Sequence, residues 1–443
     1  MADDLISKRV FARPLRFDLD VDAMALFQLI GTLAFDDAAR RIMAHLAAEA
    51  AASPDGGWIH YARARNWYSN RRYLHEVQTY ANVMRAVAGL EKEGLIEHVK
   101  SEPGRRGTES LMRASRRLLQ IMPSATQFLN TKDPEVIYLM KREQTFEKNG
   151  RKWTEPARSI PYEDTDGTRR MRRDLRSINE GVAGVELRHP KIGIIRPGTP
   201  IPRLGKSNPG PAFMGMRRKF TERFDQHGRF YAWWQNLPGK ERGLLLLDGE
   251  RVIEEDYRQI HPTLLYGMRG IRLECDFDAY TVDGLPPELR PLLKVVFNAM
   301  VNARGRQGLH FTITDRAREL TAAGEIPPGF DGHAAAVLLM DAMLKRHATI
   351  EDAFFSDAGL TLMRADSDMA EDVMLTLLRD GIVSLGIHDS FIVQARHGGK
   401  LTETMERAKA VMLDKMSGRN VVKLTPRKER VRNGAKLLIQ NEN

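Results

Sequence analysis

Residues 381–395 read GIVSLGIHDSFIVQA, in which two apolar runs flank the polar tripeptide His388-Asp389-Ser390. Short apolar runs bounded by a polar turn are typical of buried strands joined in a hairpin. Burying such a turn costs free energy unless its polar side chains have partners. The stretch therefore predicts a hairpin inside a sheet, with a carboxylate at its turn that has a ligand or a partner.

A second carboxylate occupies a comparable position upstream. In residues 251–267, RVIEEDYRQIHPTLLYG, a short apolar run leads to Asp256 and an apolar, helix-like stretch follows. Alone, an Asp at a strand end is commonly a turn or cap residue. Brought beside Asp389 on an adjacent strand, it would repel that carboxylate unless divalent cations lay between them. The pair predicts a site for two Mg²⁺ ions, which Mn²⁺ could replace, of the kind that activates a hydroxyl and stabilises a leaving pyrophosphate.

A polar stripe marks the segment RPLLKVVFNAMVNAR, residues 290–304. Its members recur every four residues, as expected for one face of a helix: Arg290, Lys294, Asn298 and Asn302. An Arg and a Lys one turn apart match a triphosphate, which needs cationic donors. In isolation the stripe is better explained as the solvent face of an amphipathic helix, and the phosphate role gains support only beside the other two segments.

Composition narrows the function classes. The 443 residues carry a formal net charge of +10, which favours a polyanionic partner over a neutral one. No run of 18 apolar residues exists and the first twenty residues lack a secretory signal, so we expect a cytoplasmic protein without a membrane span. Cys275 is the sole cysteine, which excludes an internal disulfide and a thiolate metal cage.

Residues 79–110 have the pattern of a DNA-binding module. An apolar helical stripe breaks at Gly94, a strand-like run follows over 95–99, and the chain turns at a basic Pro-Gly segment. This order resembles the last helix and wing of a winged helix-turn-helix, whose recognition helix enters the major groove. The resemblance places Arg105 and Arg106 at the wing tip, in contact with DNA. An ordinary helical domain that packs on the rest of the chain is the alternative.

An arginine cluster opens a predicted helix within residues 122–215, a stretch otherwise rich in Pro, Gly and charge. The cluster comprises Arg169, Arg170, Arg172, Arg173 and Arg176. Five arginines over eight positions cannot share one helical face, so a solvated helix is one interpretation. We prefer contact with a nucleic-acid backbone, through Arg169, Arg170 and Arg173.

The segments singled out so far also match known motifs in order. Residues 256–260, DYRQI, resemble the DYSQI of motif A in A-family DNA polymerases, and residues 388–390, HDS, resemble the HDE of their motif C. Arg290 and Lys294 match the start of motif B, on the fingers helix. Ordered co-occurrence of such motifs is far more specific than any one of them.

A fourth match extends the resemblance to residues 225–396. Residues 227–242, HGRFYAWWQNLPGKER, resemble the GR…QNIP stretch of the same family. The ending Ser390-Phe391 is closer to the HDSF of phage-type single-subunit RNA polymerases. The pair Trp233-Trp234 within the fourth segment is expected to pack under the palm rather than to stack on a base.

The resemblance implies roles for individual residues. Asp256 and Asp389 would bind the two Mg²⁺ ions, assisted by the backbone carbonyl of Tyr257. Arg290 and Lys294 would hold the phosphates of the incoming nucleotide, and Lys294 is also the candidate proton donor to pyrophosphate. The catalytic set implied by the family is therefore Asp256, Asp389 and Lys294.

Contacts to DNA and to the sugar follow in the same way. His388 would contact the primer end, whereas Arg229, Gln235 and Asn236 would lie near the minor groove of the primer–template. Three positions depart from the family, because a Glu that excludes ribose and two aromatic residues are replaced, in turn, by His261, Asn298 and Asn302. These residues would still line the nucleotide site, but the choice between deoxynucleotides and ribonucleotides stays open.

The sequence as a whole predicts an α+β fold: an antiparallel palm sheet with helical fingers, preceded by a mostly helical N-terminal half that includes the winged helix. We expect a DNA-binding domain over 1–121, a basic connecting or thumb-like region over 122–215, the palm and fingers over 216–425, and a basic tail over 426–443. The resemblance implies a compact DNA polymerase of a plasmid, phage or mobile element, without proofreading. Its partners would be a primer–template or origin duplex and nucleoside triphosphates. A primase or single-subunit RNA polymerase, and a winged-helix regulator with an inactive palm, are the alternatives.

Overall fold

The computed structural model describes a chain of mixed helices and sheets, which confirms the α+β class. The described residues are 12–21, 36–53, 57–101, 109–122, 128–130, 135–148, 151–204, 210–212 and 214–417. The predicted wing-tip residues Arg105 and Arg106 and the basic tail lie outside them. Within those residues, no helix is both long enough and apolar enough to cross a membrane.

The helices and strands follow in chain order. The helices are α1 (Asp37–Ala52), α2 (Tyr80–Lys92), α3 (Arg116–Ile121), α4 (Asp166–Ala183), α5 (Gly239–Arg242), α6 (Ile260–Gly267), α7 (Arg290–Asn302), α8 (Leu309–Ala322), α9 (His333–Arg346), α10 (Gly359–Arg379) and α11 (Gly398–Ser417). The strands are β1 (Arg13–Pro14), β2 (Leu19–Val21), β3 (Ile59–Tyr61), β4 (Ile96–Val99), β5 (Ser110–Ala114), β6 (Phe128–Asn130), β7 (Ile137–Lys141), β8 (Gln144–Lys148), β9 (Arg151–Glu155), β10 (Arg158–Ser159), β11 (Leu187–His189), β12 (Gly193–Ile195), β13 (Pro200–Ile201), β14 (Gly210–Pro211), β15 (Arg217–Thr221), β16 (Arg223–Tyr231), β17 (Leu246–Leu247), β18 (Glu250–Asp256), β19 (Leu385–Ile387) and β20 (Ser390–Gln394).

Contacts divide the chain into two compact units. The first comprises Met1–Arg258 with Met363–Ala410, and the second comprises Gln259–Leu362 with Val411–Asn443. These units group the residues differently from the segments expected at 1–121, 122–215 and 216–425, and those functional boundaries stay a prediction.

The N-terminal part of the first unit is a small helix and sheet layer. Helix α2 begins at the cap residue Thr79, whose side chain accepts from the amide of Asn82. Its buried residues, Val83, Ala86, Val87 and Leu90, recur at helical spacing and pack on α1. The sheet order is β1-β3-β5-β4, with β4 and β5 forming an antiparallel hairpin. The chain thus runs helix, strand, helix and hairpin around one apolar core.

A buried carboxylate joins this part to the next sheet, whose order is β10-β7-β15-β16. Glu135 is almost fully buried and pairs with Arg72 from the N-terminal part, at 3.1 Å, and with Arg172 of α4, at 2.9 Å. The Tyr162 hydroxyl donates a third hydrogen bond to it, at 2.9 Å. Two guanidinium groups on one buried carboxylate compensate its desolvation, so Arg172 serves the fold.

The expectation of a mostly helical N-terminal half is wrong for the described residues. Up to position 215 these residues form four helices and fourteen strands. The strands have two to five residues each, which is too short for a period of two to stand out in the sequence. Pairing with distant partners, such as the parallel pairing of β7 with β15, makes these segments strands.

The central sheet of the first unit has six strands in the order β12-β11-β17-β18-β20-β19. Every neighbouring pair in it is antiparallel. Strand β20 lies inside this order and its residues Phe391, Ile392 and Val393 are fully buried, which explains the continuous apolar run of the sequence. The hairpin predicted over 381–395 is therefore present.

The second unit is mainly helical. Helix α7 packs on α8 and α9 through a face that includes Leu292, Val296 and Phe297. His347 is fully buried beside this face, where its ring nitrogens bond the Tyr266 hydroxyl at 3.0 Å and the Ala279 carbonyl at 2.9 Å. Burial lowers the pKa of His347 to about 4, so a neutral imidazole holds these segments together at neutral pH.

Candidate active site

The structure brings the two predicted metal-binding residues to adjoining strand ends. Asp256 is the last residue of β18 and pairs in register with Ser390, the first residue of β20. The amide of Tyr257 donates a hydrogen bond to the backbone carbonyl of Asp389, at 3.2 Å. Asp256 and Asp389 are thus neighbours in the sheet although they belong to distant parts of the sequence.

Asp389 lies in a two-residue turn whose backbone is unusual. Ile387 pairs with Ser390, so His388 and Asp389 alone close the hairpin. His388 has a φ of 57°, in the left-handed region. A positive φ at the first turn residue suits the twist of a tight hairpin, but a residue other than glycine adopts it at a cost of about 1–2 kcal/mol. The buried strands on both sides hold the turn in this conformation.

The surroundings of the two carboxylates differ from those of the core. Asp256 is exposed and Asp389 is half-buried, whereas the intervening Tyr257 is buried. The Tyr257 hydroxyl donates to the carbonyl of Met405 at 2.7 Å, and burial raises the pKa of this phenol well above its ordinary value. Tyr257 therefore anchors the backbone just after Asp256 while the carboxylate remains accessible.

A third carboxylate, Glu254, was not singled out from the sequence and supports the Asp389 turn through Ser390. Glu254 accepts a hydrogen bond from the Ser390 hydroxyl at 3.0 Å and forms a two-pronged pair with Arg242, at 2.7 and 2.9 Å. The Ser390 hydroxyl also lies 3.3 Å from the carbonyl of Ile387. Alternation along β18 puts Glu254 and Asp256 on the same face of the strand, which is the sequence signal that could have identified this support.

The predicted ligands would suit a hard divalent cation. The two carboxylates, with the Tyr257 carbonyl that the resemblance adds, would supply only oxygen ligands, which Mg²⁺ and Mn²⁺ prefer. Within the described ranges, no group of three or more His, Cys, Asp or Glu side chains is arranged to hold a metal ion. Asp256 and Asp389 thus offer two carboxylates at an accessible strand end, which suits an ion that keeps most of its ligands as water and substrate phosphate.

Arg229, predicted to contact the minor groove, is held by a buried acid. It lies on β16, and its Nε is 3.3 Å from Oδ1 of Asp366, which is 1% exposed. Burial disfavours the charged guanidinium, yet the Asp366 carboxylate, aided by Asp389, raises the pKa of Arg229 above its ordinary value. Arg229 is therefore a permanent positive charge near the Asp389 turn, fixed in orientation by Asp366.

His388 is the first member of a row of contacting side chains that continues through Tyr231 and His227 to Thr221. Its ring meets Tyr231 edge-on, with centroids 5.6 Å apart. The Tyr231 hydroxyl bonds Nε2 of His227 at 2.9 Å, and Nδ1 of His227 bonds the Thr221 hydroxyl at 2.9 Å. Burial, followed by the charge of Arg229, lowers the pKa of His388, so its imidazole is neutral at neutral pH. Nδ1 of His388 is buried without a hydrogen-bond partner among the described residues, which leaves it one polar atom for a ligand.

The segment after β16, residues 232–236, is hydrogen-bonded to strand β19. Trp234 is fully buried and its Nε1 donates to the carbonyl of Gly386 at 3.1 Å, as expected for a packing role. The amide of Gln235 donates to the carbonyls of Gly386 and Phe230, at 3.0 and 3.1 Å. Gln235 is thus engaged within the fold, while Asn236 is exposed.

In the second unit, the predicted polar stripe lies on α7 away from its buried face. Lys294 and Asn302 are exposed and Asn298 is half-buried. The guanidinium of Arg290 pairs with Asp278 at 2.6 Å, and both Arg290 and Lys294 lie near the ring of Tyr280, at 5.5 and 5.8 Å from its centroid. The stripe thus has a cationic end, with Arg290 oriented by a carboxylate.

Gln259 positions this cationic end and was not singled out from the sequence. Its side-chain amide donates to the carbonyl of Phe277 at 2.5 Å and accepts from the amide of Ala279 at 2.8 Å. These bonds hold the backbone on both sides of Asp278, the partner of Arg290. His261 lies two residues after Gln259, in the first turn of α6, and is half-buried.

The arginines of α4 separate into two groups. Arg169, Arg170 and Arg173 are exposed, whereas Arg172 is bound to Glu135. Arg169 pairs with Asp166 at 2.7 Å, a contact within one turn of the helix. Arg170 and Arg173 lie near Asp174, at 4.0 and 3.4 Å. Their predicted contact with nucleic acid stays a prediction, whereas Arg172 is committed to the fold.

No protein-family model and no curated protein sequence matches this chain. The chemistry of the site therefore rests on its own residues and on the resemblance of their motifs.

Proposed function

We propose that this chain is a template-directed nucleotidyltransferase, a compact DNA polymerase of the A-family type. The observation that carries the proposal is the pairing of β18 with β20, which puts Asp256 beside the Asp389 turn. The residues of two motifs that are distant in sequence thereby become neighbours at an accessible strand end. Two carboxylates at such a place serve phosphoryl and nucleotidyl transfer.

In this proposal Asp256, Asp389 and the Tyr257 carbonyl would hold two Mg²⁺ ions. When bound, these ions supply an activated primer hydroxyl and charge neutralisation at the leaving pyrophosphate. Glu254, through Ser390, keeps the Asp389 turn in place. The neutral His388, with its unsatisfied Nδ1, would contact the primer end.

The resemblance implies that residues of α6 and α7 contact the nucleotide. Arg290 and Lys294 would bind the phosphates, because a guanidinium and an ammonium one helical turn apart match successive phosphate groups. Asp278 and Gln259 limit the orientations of Arg290 and so lower the entropic cost of that binding. Asn298, Asn302 and His261 would lie along the sugar and base.

The N-terminal part would bind duplex DNA as a winged helix. Its support is the order of elements, α1, β3, α2 and the β4–β5 hairpin, together with the sheet order β3-β5-β4. In such modules the helix before the hairpin enters the major groove, a role that falls to α2. The exposed Arg169, Arg170 and Arg173 would add sequence-independent contacts to the backbone.

A primase or RNA polymerase is the second candidate. It is favoured by three residues that would line the nucleotide site: His261 stands where the family has the carboxylate that rejects a ribose hydroxyl, and Asn298 and Asn302 stand where it has aromatic rings. Both polymerase types use the same carboxylate pair. The nucleotides that are incorporated therefore distinguish them.

The test is extension of a labelled primer–template in Mg²⁺, with deoxynucleotides or ribonucleotides supplied separately and with a reaction lacking primer. Wild-type protein and the Asp380→Asn control, which changes an exposed Asp at the end of α10, should extend the primer, while Asp389→Asn should not. Incorporation of deoxynucleotides supports the DNA polymerase, and primer-independent synthesis from ribonucleotides supports the primase. DNA binding without any synthesis would instead favour a winged-helix regulator with an inactive palm.

A further inference from the structure

The hairpin formed by β8 and β9 exposes two large aromatic rings. Phe146 and Trp153 face each other across the strands, with ring centroids 5.4 Å apart and planes inclined by 18°. Despite this stacking, Phe146 remains 36% exposed and Trp153 remains 46% exposed. Another stacked pair, Tyr73 and Tyr138, differs in being tied into the fold. The Tyr73 hydroxyl donates a hydrogen bond to the carbonyl of Ile160.

Among the described strands, β8 and β9 pair only with each other. An isolated two-stranded hairpin is marginal in water, and a cross-strand aromatic pair stabilises it. That role requires only the inner faces of the rings. A second cross-strand contact, between the hydroxyls of Thr145 and Thr154 at 3.1 Å, also joins the strands. The exposed outer surfaces of the rings are therefore available for another purpose.

The charge of the hairpin region and the small area of the two rings together indicate which kind of partner would bind there. Residues 141–158 contain six Lys or Arg against three Glu in the sequence, so the hairpin region is basic. Two rings offer far less area than the roughly 800 Å² per partner that a stable protein interface buries. Exposed aromatic faces within a basic segment instead match single-stranded nucleic acid, whose bases stack on the rings and whose phosphates meet the cations.

We infer that Phe146 and Trp153 form a stacking platform for an unpaired base of the nucleic acid, as in a single-stranded template overhang. The inference rests on the proposed nucleic-acid partner and specifies its form: the hairpin binds single strand, whereas duplex, whose bases are already stacked, does not engage the rings.

The first experiment measures equilibrium binding of the full chain in EDTA, so that no synthesis occurs. The probes are a labelled single-stranded oligonucleotide, a duplex with a single-stranded overhang and a blunt duplex. The double variant Phe146→Leu/Trp153→Leu keeps apolar side chains but removes both rings. We expect it to bind the single strand and the overhang about tenfold more weakly, and the blunt duplex unchanged.

Two control variants separate stacking from a purely structural role. The exchange Phe146→Trp/Trp153→Phe preserves an aromatic cross-strand pair and should bind all probes like the wild type. Phe311→Leu removes an exposed ring, 68% accessible, outside the hairpin, and should also leave binding unchanged. Equal weakening for blunt and overhang probes, or the same loss in the Phe311 variant, would overturn the inference.

Tryptophan fluorescence gives an independent measurement. The emission of Trp153, isolated as the difference between wild type and Trp153→Phe, should be quenched by the single strand and not by the blunt duplex. If the single strand does not quench the Trp153 emission, stacking is contradicted. Sedimentation is a second check: if the leucine variant differs from the wild type in oligomeric state, the weaker binding is not due to lost stacking. Repeating the binding with Asp389→Asn keeps the two proposals apart, because that variant should lose primer extension and retain the preference for single strand.

Discussion

Two groups of carboxylates in the first unit differ in their surroundings and therefore in the roles that they can have. Asp256 and Asp389 lie at a strand end, one exposed and one half-buried. Asp366, Asp368 and Glu371 lie on α10, where each pairs with an arginine. Asp256 and Asp389 are accessible to a ligand, as the proposed metal site requires, whereas Asp366 and Glu371 are buried against arginines and position a neighbouring element. The comparison teaches that burial, rather than the number of acids in a segment, separates the proposed site from the structural group.

Arg218 shows how the buried group works. It is fully buried on β15, with guanidinium contacts to Asp368 at 3.0 Å, to Glu371 at 2.9 Å and to the carbonyl of Gly228 at 2.7 Å. Burial lowers its pKa even though Glu371 opposes that effect. The network fixes α10 against the hairpin of β15 and β16, and so positions Arg229 beside the Asp389 turn.

The largest expected effect separates the two groups directly. Asp256→Asn should reduce primer extension by about 1,000-fold, because it removes an oxygen ligand at the transition state, while the urea midpoint should change little. Asp366→Asn should instead lower the urea midpoint, because it leaves the largely buried Arg229 without its charged partner. The comparison fails if Asp366→Asn loses extension without loss of stability.

Arg218→Met tests the stabilising side. Removing this cation leaves the buried Glu371 without its arginine, so we expect a loss of about 3–5 kcal/mol in the free energy of unfolding. Urea denaturation measures it. The matched control is Arg223→Met, which breaks an exposed pair with Asp225 and should cost less than about 1 kcal/mol. Equal effects of the two variants would mean that burial does not distinguish these pairs.

The same distinction applies to the arginines of α4. Replacing Arg169, Arg170 and Arg173 by Ala should weaken duplex binding and reduce the dependence of log K on log salt by up to about 0.9 per lost phosphate contact. Stability should hardly change. Arg172→Ala should instead destabilise the protein, because Glu135 loses a partner. An unchanged salt dependence in the triple variant would assign the exposed arginines to solvation alone.

The smallest effect concerns His227, in the row beside Arg229. Burial lowers its pKa to about 4, so between pH 6.5 and 4 the unfolded chain binds a proton that the folded chain does not. Its contribution to stability is thus complete above pH 6.5 and is lost as the pH falls toward 4. His227→Gln should flatten the decline of unfolding free energy over that range by about 1 kcal/mol, discounted for partial exposure. Parallel pH curves for the two proteins would contradict this assignment.

Much of the central region was predictable because its signals are local. The apolar runs around His388-Asp389-Ser390 predicted the hairpin that β19 and β20 form, and the four-residue spacing from Arg290 predicted the stripe on α7. Support residues were not predictable in the same way. Gln259 and Asp366 act through contacts to residues distant in sequence, and no spacing rule contains those contacts. Alternation along β18 gives the face of Glu254 but not its partners Ser390 and Arg242.

By itself, the sequence determined the α+β class, the hairpin with its Asp389 turn and the helix that carries Lys294, because period and turn chemistry are encoded within a few residues. Only the tertiary structure decided that Asp256 adjoins that turn and that Arg172 is structural while Arg173 is exposed. These outcomes depend on strand pairing and burial, which follow from contacts between remote segments.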